Sequence, residues 1–122
     1  MENEQNRQYP VLPTRNVVIF PGTTLPLNIG RPRSLLAVEA ANEKDGFMIA
    51  LAQKTEVSGE PSTEDVFAVG TLCKLEKMRG SREHGYQVLM RGVARVKVLQ
   101  FGGAGDFAQA TIEVVEDETD VD

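Results

Sequence analysis

Residues 11–34 read V-L-P-T-R-N-V-V-I-F-P-G-T-T-L-P-L-N-I-G-R-P-R-S, two short apolar segments punctuated by Pro13, Pro21 and Pro26 and followed by Gly30 and Pro32. Proline has no backbone N–H to give to a ladder, so neither segment is a central strand along its whole length. The pattern predicts short strands that bend around the edge of something curved. Pro32 then stands where proline suits the first turn of a helix. Leu35, Leu36, Val38, Ala40 and Ala41 follow near helical spacing, and N-E-K-D-G at 42–46 supplies stop and turn residues. The only convincing helix of the chain is expected here.

Working outward, residues 47–53 (F-M-I-A-L-A-Q) form a nearly continuous apolar run of strand length, which predicts a buried strand. Residues 55–65 are polar, contain Gly59 and Pro61, and read as a surface loop. The second half alternates. Val69, Thr71, Cys73 and Leu75 share one face of a strand over 69–78, with Lys74 and Glu76 on the other. A polar hairpin connection at 79–85 leads to strands at 86–90 and 93–99, with Gly92 as a bend or bulge between them. A Gly-rich turn at 102–106 precedes a last strand at 107–115, with Ala108, Ala110, Ile112 and Val114 on a single face. Successive hairpin-linked strands make a curled antiparallel sheet. The expected fold class is mainly β (α+β): a small antiparallel barrel of six to seven strands with one capping helix. Its closure would remove most sheet edges.

Bulk properties bound the function. A chain of 122 residues fits one domain, and 41% hydrophobic with 25% charged residues describes an ordinary globular protein. No apolar run approaches the ~20 residues a spanning helix needs. The polar N-terminus lacks an apolar signal core, so a cytoplasmic location is the expectation. The net charge of −5 is local: six of the eighteen carboxylates lie in residues 113–122, and the remaining twelve face thirteen basic residues. The body is close to neutral and offers no electrostatic footprint for nucleic acid. The division expected is a flexible tail at 1–8, a β-lobe at 9–116 and an acidic linker at 117–122.

The opening stretch resembles the N-terminal, substrate-binding domain of the ATP-dependent Lon protease family. Further landmarks fall in Lon-like order: L-A-Q-K at 51–54, E-D at 64–65 leading into F-A-V-G-T at 67–71, V-L-M-R-G-V-A-R-V at 88–96, and F-A-Q-A-T at 107–111. Stand-alone LON-domain proteins typically look like P-L-x-I-F-E-P-R-Y before the helix. Here P-L-N-I-G-R-P-R-S at 26–34 is closer to full-length Lon. The resemblance implies a PUA-like barrel that recognises unfolded or degron-bearing polypeptides and helps subunits of a homohexamer associate. It also implies a Ser-Lys protease domain and an ATPase module, with its ATP and Mg²⁺, on segments outside these residues. No G-x-x-x-x-G-K-[ST] occurs, so nothing in this chain cradles a nucleotide phosphate. No cofactor and no metal are expected in the lobe, and it is not expected to be an enzyme by itself. The rival readings are a stand-alone LON-domain protein and a PUA-like RNA-binding module. The latter needs a basic groove rich in aromatics, against seven aromatics and no Trp here.

Candidate peptide-contact residues are Arg31, Arg33, Leu25 and Leu27. Arg31 and Arg33 flank the helix start, where cations oppose the macrodipole by about 0.3–1 kcal/mol each. A carboxylate of a bound peptide would relieve that cost; pairing with Glu39 or the acidic tail would do the same. Leu25, Leu27 and Ile29 are either an exposed apolar strip or alternate core residues of a strand. His84, without a second histidine, reads as a solvent-facing turn residue. Cys73 reads as a small core hydrophobe. No serine has a paired base identifiable from sequence, so nucleophilic catalysis has no support.

Overall fold

The computed structural model describes residues 8–15, 19–54, 66–102 and 107–117, with side chains as far as Val115. The loop expected at 55–65, the Gly-rich turn at 103–106 and, apart from Gln8 and Asp117, the expected tail and acidic linker lie outside those residues. The chain runs β1 (Gln8–Thr14), β2 (Thr24–Ile29), α1 (Pro32–Glu43), β3 (Phe47–Ala52), β4 (Val69–Ser81), β5 (Gly85–Gly102) and β6 (Gln109–Asp117).

The strand pairings form a closed circuit. β5 pairs with β4 on one side and β6 on the other, β6 with β1, β1 with β3, and β3 with β4. β2 stands outside the circuit, antiparallel to the first half of β5. The β-rich fold, with one helix among the described residues, is as expected, with one refinement: β1 and β3 are parallel, because α1 carries the chain back between them. The prolines of β1 are accommodated by a change of partner. Gln8–Pro10 pairs with β6 and Val11–Thr14 with β3, and at the changeover the Val11 N–H still donates to the Ala108 carbonyl at 2.9 Å.

Two cores lie on opposite faces of the same strands. Inside the circuit pack Val11, Ile49, Leu51, Leu72, Val96, Val98, Ala110 and Ile112. On the outer face pack Leu12, Met48, Ala50, Cys73, Leu75, Val88 and Met90 beneath Leu35, Val38 and Ala41 of the helix. β3 is therefore buried on both faces, which is why residues 47–52 are apolar without alternation. β4 is similar, with Leu72 facing inward while Thr71, Cys73 and Leu75 face the helix side; Val69, expected beside them, is exposed.

β5 serves both cores through a bulge. Cys73 pairs with Gly92 but Leu72 pairs with Ala94, leaving Val93 as the extra residue. Val88 and Met90 accordingly face the helix side, while Val96 and Val98, at the same parity, face the circuit interior. The two strands expected at 86–90 and 93–99 are one strand of 18 residues.

The F-P-G-T segment docks on this bulge. Thr23 N–H donates to the Phe20 carbonyl at 3.0 Å around Pro21 and Gly22, whose φ of 86° suits the third position of a type II turn. Gly22 N–H donates to the Gly92 carbonyl (2.9 Å), and Gly92 N–H to the Thr23 carbonyl (2.8 Å). Close approach explains Gly92: a Cβ there would lie 2.2 Å from the Phe20 oxygen. The Thr71 hydroxyl donates to the Ile19 carbonyl at 2.5 Å, tying the same segment to β4.

Candidate functional site: a groove between β1, β2 and the helix start

A groove of about 570 Å³ lies where the end of β1, the second half of β2 and the start of α1 converge. Leu12 and Pro13 line one wall, Pro26 and Leu27 the other, and Thr14, Asn28, Arg31 and Ser34 add polar groups. Each element brings its residues there for a local reason. β1 ends at Thr14, whose carbonyl accepts the Gln53 N–H at 2.9 Å. β2 alternates: Ile29 is buried, Leu25 and Leu27 are half-buried against the outer core, and Thr24, Pro26 and Asn28 are exposed. α1 begins at Pro32 after an extended Arg31, with no side-chain cap and no acidic residue in its first turn.

Arg31 is the group of greatest chemical interest. It is half-buried, and its Nη1 donates to Gln53 Oε1 at 2.7 Å. That amide is neutral, and among the described residues no carboxylate pairs with Arg31. Beside the positive end of a helix, this guanidinium thus has no compensating carboxylate among the described residues on the groove wall. Apolar walls around a few polar groups suit a short, partly apolar segment of chain.

The four sequence candidates separate. Arg31 and Leu27 line the groove. Arg33 is exposed but does not line it, and Leu25 packs on the core instead. The continuous apolar strip considered for Leu25, Leu27 and Ile29 is not formed, because strand alternation turns all three toward the core. In the helix, likewise, Ser34 and Ala37 are buried, whereas Leu36 and Ala40 of the expected stripe are only partly so. Neither Arg31 nor Arg33 meets Glu39, which has other partners. Arg82 Nε lies 3.1 Å from both Glu39 oxygens, and the Tyr86 hydroxyl donates to Oε2 at 2.6 Å. These contacts hold the β4–β5 hairpin tip against α1. The Arg82 hydrogen bonds and then that of Tyr86 hold the Glu39 carboxyl below its ordinary range, and the same bond raises the Tyr86 phenol.

Sequence reasoning missed Gln53, Thr14 and Asn28. The only signal for Gln53 was a polar residue closing an apolar strand; its meeting with Arg31, 22 residues away, is a product of the fold. His84 is exposed in the hairpin turn and Cys73 is buried, as expected. Among the described residues no group of His, Cys, Asp and Glu could hold a metal ion. No helix among them is long and apolar enough to cross a membrane.

Comparison with known proteins places this chain in a family. Residues 8–122 match the model of the ATP-dependent protease La (LON) substrate-binding domain. The Lon protease of Desulfovibrio desulfuricans is 38% identical over 110 residues, covering 90% of this chain and 12% of that protein. The Lon protease of Escherichia coli K12 is 32% identical over 118 residues, covering 97% and 15% respectively. The N-terminal domain of Mycobacterium avium complex Lon protease superposes with a TM-score of 0.70 at 18% identity, over 95% of this chain and 59% of that one. The Lon N-terminal domain protein from Xanthomonas campestris gives 0.66 at 19%, over 94% and 63%. The two structures support the fold, and the chain spans only about an eighth of the first Lon protease it matches. Family model and sequence relatives agree: the chain belongs to the LON substrate-binding domain family.

Proposed function

We propose that this chain is the polypeptide-recognition lobe of a Lon-type, ATP-dependent serine protease of the cytoplasm, and that the groove holds segments of unfolded or degron-bearing proteins. The observation that carries the reading is the groove itself, where Leu12, Leu27 and two prolines surround an Arg31 that no described carboxylate neutralises. Apolar walls reward any partly apolar segment at about 25 cal/mol per Å² buried. Arg31 favours segments carrying an acidic side chain or a terminal carboxylate. Neither contact is demanding, as suits a receptor for many sequences. ATP hydrolysis with Mg²⁺ and Ser-Lys peptide cleavage belong to modules beyond these residues. The lobe's affinity is weak, and several copies in a homohexameric ring raise it by effective concentration.

The test is an anisotropy titration of the 122-residue chain into a fluorescent, reduced and carboxymethylated protein that cannot fold. Saturable binding is expected. Arg31→Ala should weaken it roughly tenfold, the loss of about one charge-assisted contact, whereas His84→Ala, at an exposed turn residue that does not line the groove, should leave it unchanged. An absence of saturable binding, or equal effects of the two substitutions, sinks the assignment.

A further inference from the structure

The groove runs along an unpaired strand edge. β2 pairs with β5 on one side and, among the described residues, with no strand on the other. The directions of its backbone groups follow from two contacts. The Thr23 carbonyl accepts the Gly92 N–H at 2.8 Å, and the Ile29 carbonyl points at Gly85 closely enough that a Cβ there would lie 2.9 Å away. Odd-numbered residues therefore turn their polar groups toward β5. By strand alternation, Thr24, Pro26 and Asn28 turn theirs the opposite way. That is the groove side: Pro26–Ile29 line the groove and no residue of β5 does. Pro26 fits this assignment, since its missing N–H falls on the side where no ladder bond is lost.

We propose that this edge binds substrate by strand addition: an extended polypeptide segment lies in the groove beside Pro26–Ile29 and continues along the open edge to Thr24 as an extra strand on β2. The N–H groups of Thr24 and Asn28 and the carbonyls of Thr24, Pro26 and Asn28 serve as its backbone partners. The inference rests on the groove being a polypeptide site and specifies how the chain is held. The occupant follows from the groups on offer. Carbonyls at every second residue and N–H groups at Thr24 and Asn28, spread along about 13 Å of edge, complement a peptide backbone in extended form, whatever its side chains. Leu27 and Pro13, both half-buried, then supply apolar contact to side chains of the guest. Folded proteins keep their strand edges paired or covered, so the device selects unfolded chain without reading its sequence. Pro26 leaves a gap in the donor row, which opposes a long uninterrupted ladder between two copies of β2 while its carbonyl stays available to a guest N–H.

The experiment uses an unstructured peptide of alternating Thr and Val with lysine ends as probe, and reads amide hydrogen exchange of the 122-residue chain by NMR. The Thr24 and Asn28 amides are expected to exchange freely in the unbound chain. They should slow by about tenfold or more at saturating peptide, while Leu25 and Leu27, bonded to β5, stay slow throughout. Asn28→Pro removes a donor from the outer edge without touching the β5 ladder. It should weaken the peptide about tenfold with an unchanged melting temperature; if it unfolds the chain, the exchange measurement on the unsubstituted protein decides. Peptide binding that leaves Thr24 and Asn28 exchange unaltered would overturn strand addition and leave the groove assignment standing. Failure of any unfolded polypeptide to bind removes both.

Discussion

Cys73, Glu39 with Tyr86, and Gly92 each report on local physics that can be checked one position at a time. Cys73 packs in the outer core, where burial pushes its thiol up to about 12. At mildly alkaline pH it is expected to react with iodoacetamide only through opening of the fold, and rapidly once denaturant is added; fast labelling of the native chain would contradict the packing described. Glu39 joins the helix to the hairpin tip through Arg82 and Tyr86. Its folded-state pKa is lowered, so its contribution is complete above the ordinary carboxylate range near 4.5 and is lost as pH falls through the lowered value. The raised Tyr86 phenol has the opposite sign, and its contribution is lost as pH rises through the folded value. Glu39→Gln should therefore flatten the acid limb of stability and speed amide exchange at the 82–84 turn. Gly92 is a matter of space rather than conformation. Gly92→Ala drives a methyl into the Phe20 carbonyl and should destabilise by about 2 kcal/mol in a denaturant titration.

At the level of elements, much was legible because periodicity and proline chemistry are local. Pro32 and the N-E-K-D-G segment marked α1 to within a residue or two, and the unbroken apolar run marked β3. The faces of β5 were not legible. Gly92 marked a bend or bulge, but Val88, Met90, Ala94, Val96 and Val98 keep one parity, and nothing in that pattern reveals that the extra residue sends the two halves into different cores. Which side of a strand a residue faces is set by its partner's register, and register belongs to the assembled sheet. The site was half legible for the same reason. Arg31 stood out by opposing the helix dipole, whereas its partner Gln53 and the open side of β2 exist only after pairing. Deleting Val93 tests the bulge. The change turns either Val88 and Met90 or Val96 and Val98 away from their core, so loss of the cooperative unfolding transition is expected. Val93→Thr, which keeps the count, should retain it.

In the molecule as a whole, the two cores share β3 and β4 and so are expected to rise and fall together. Met48→Ala empties the helix side and Ile49→Ala the circuit interior; each should cost about 2–5 kcal/mol and shift one common transition followed by circular dichroism. Two separable transitions would show that the cores are independent. The circuit has a further consequence for how the chain is made. Its earliest strand lies against its latest, with Gln8 opposite Thr111, so during synthesis the N-terminal segment waits on the ribosome for a neighbour that does not yet exist. Stalled nascent chains of stepwise length should stay protease-sensitive until β6 has cleared the exit tunnel, and then become resistant in one step.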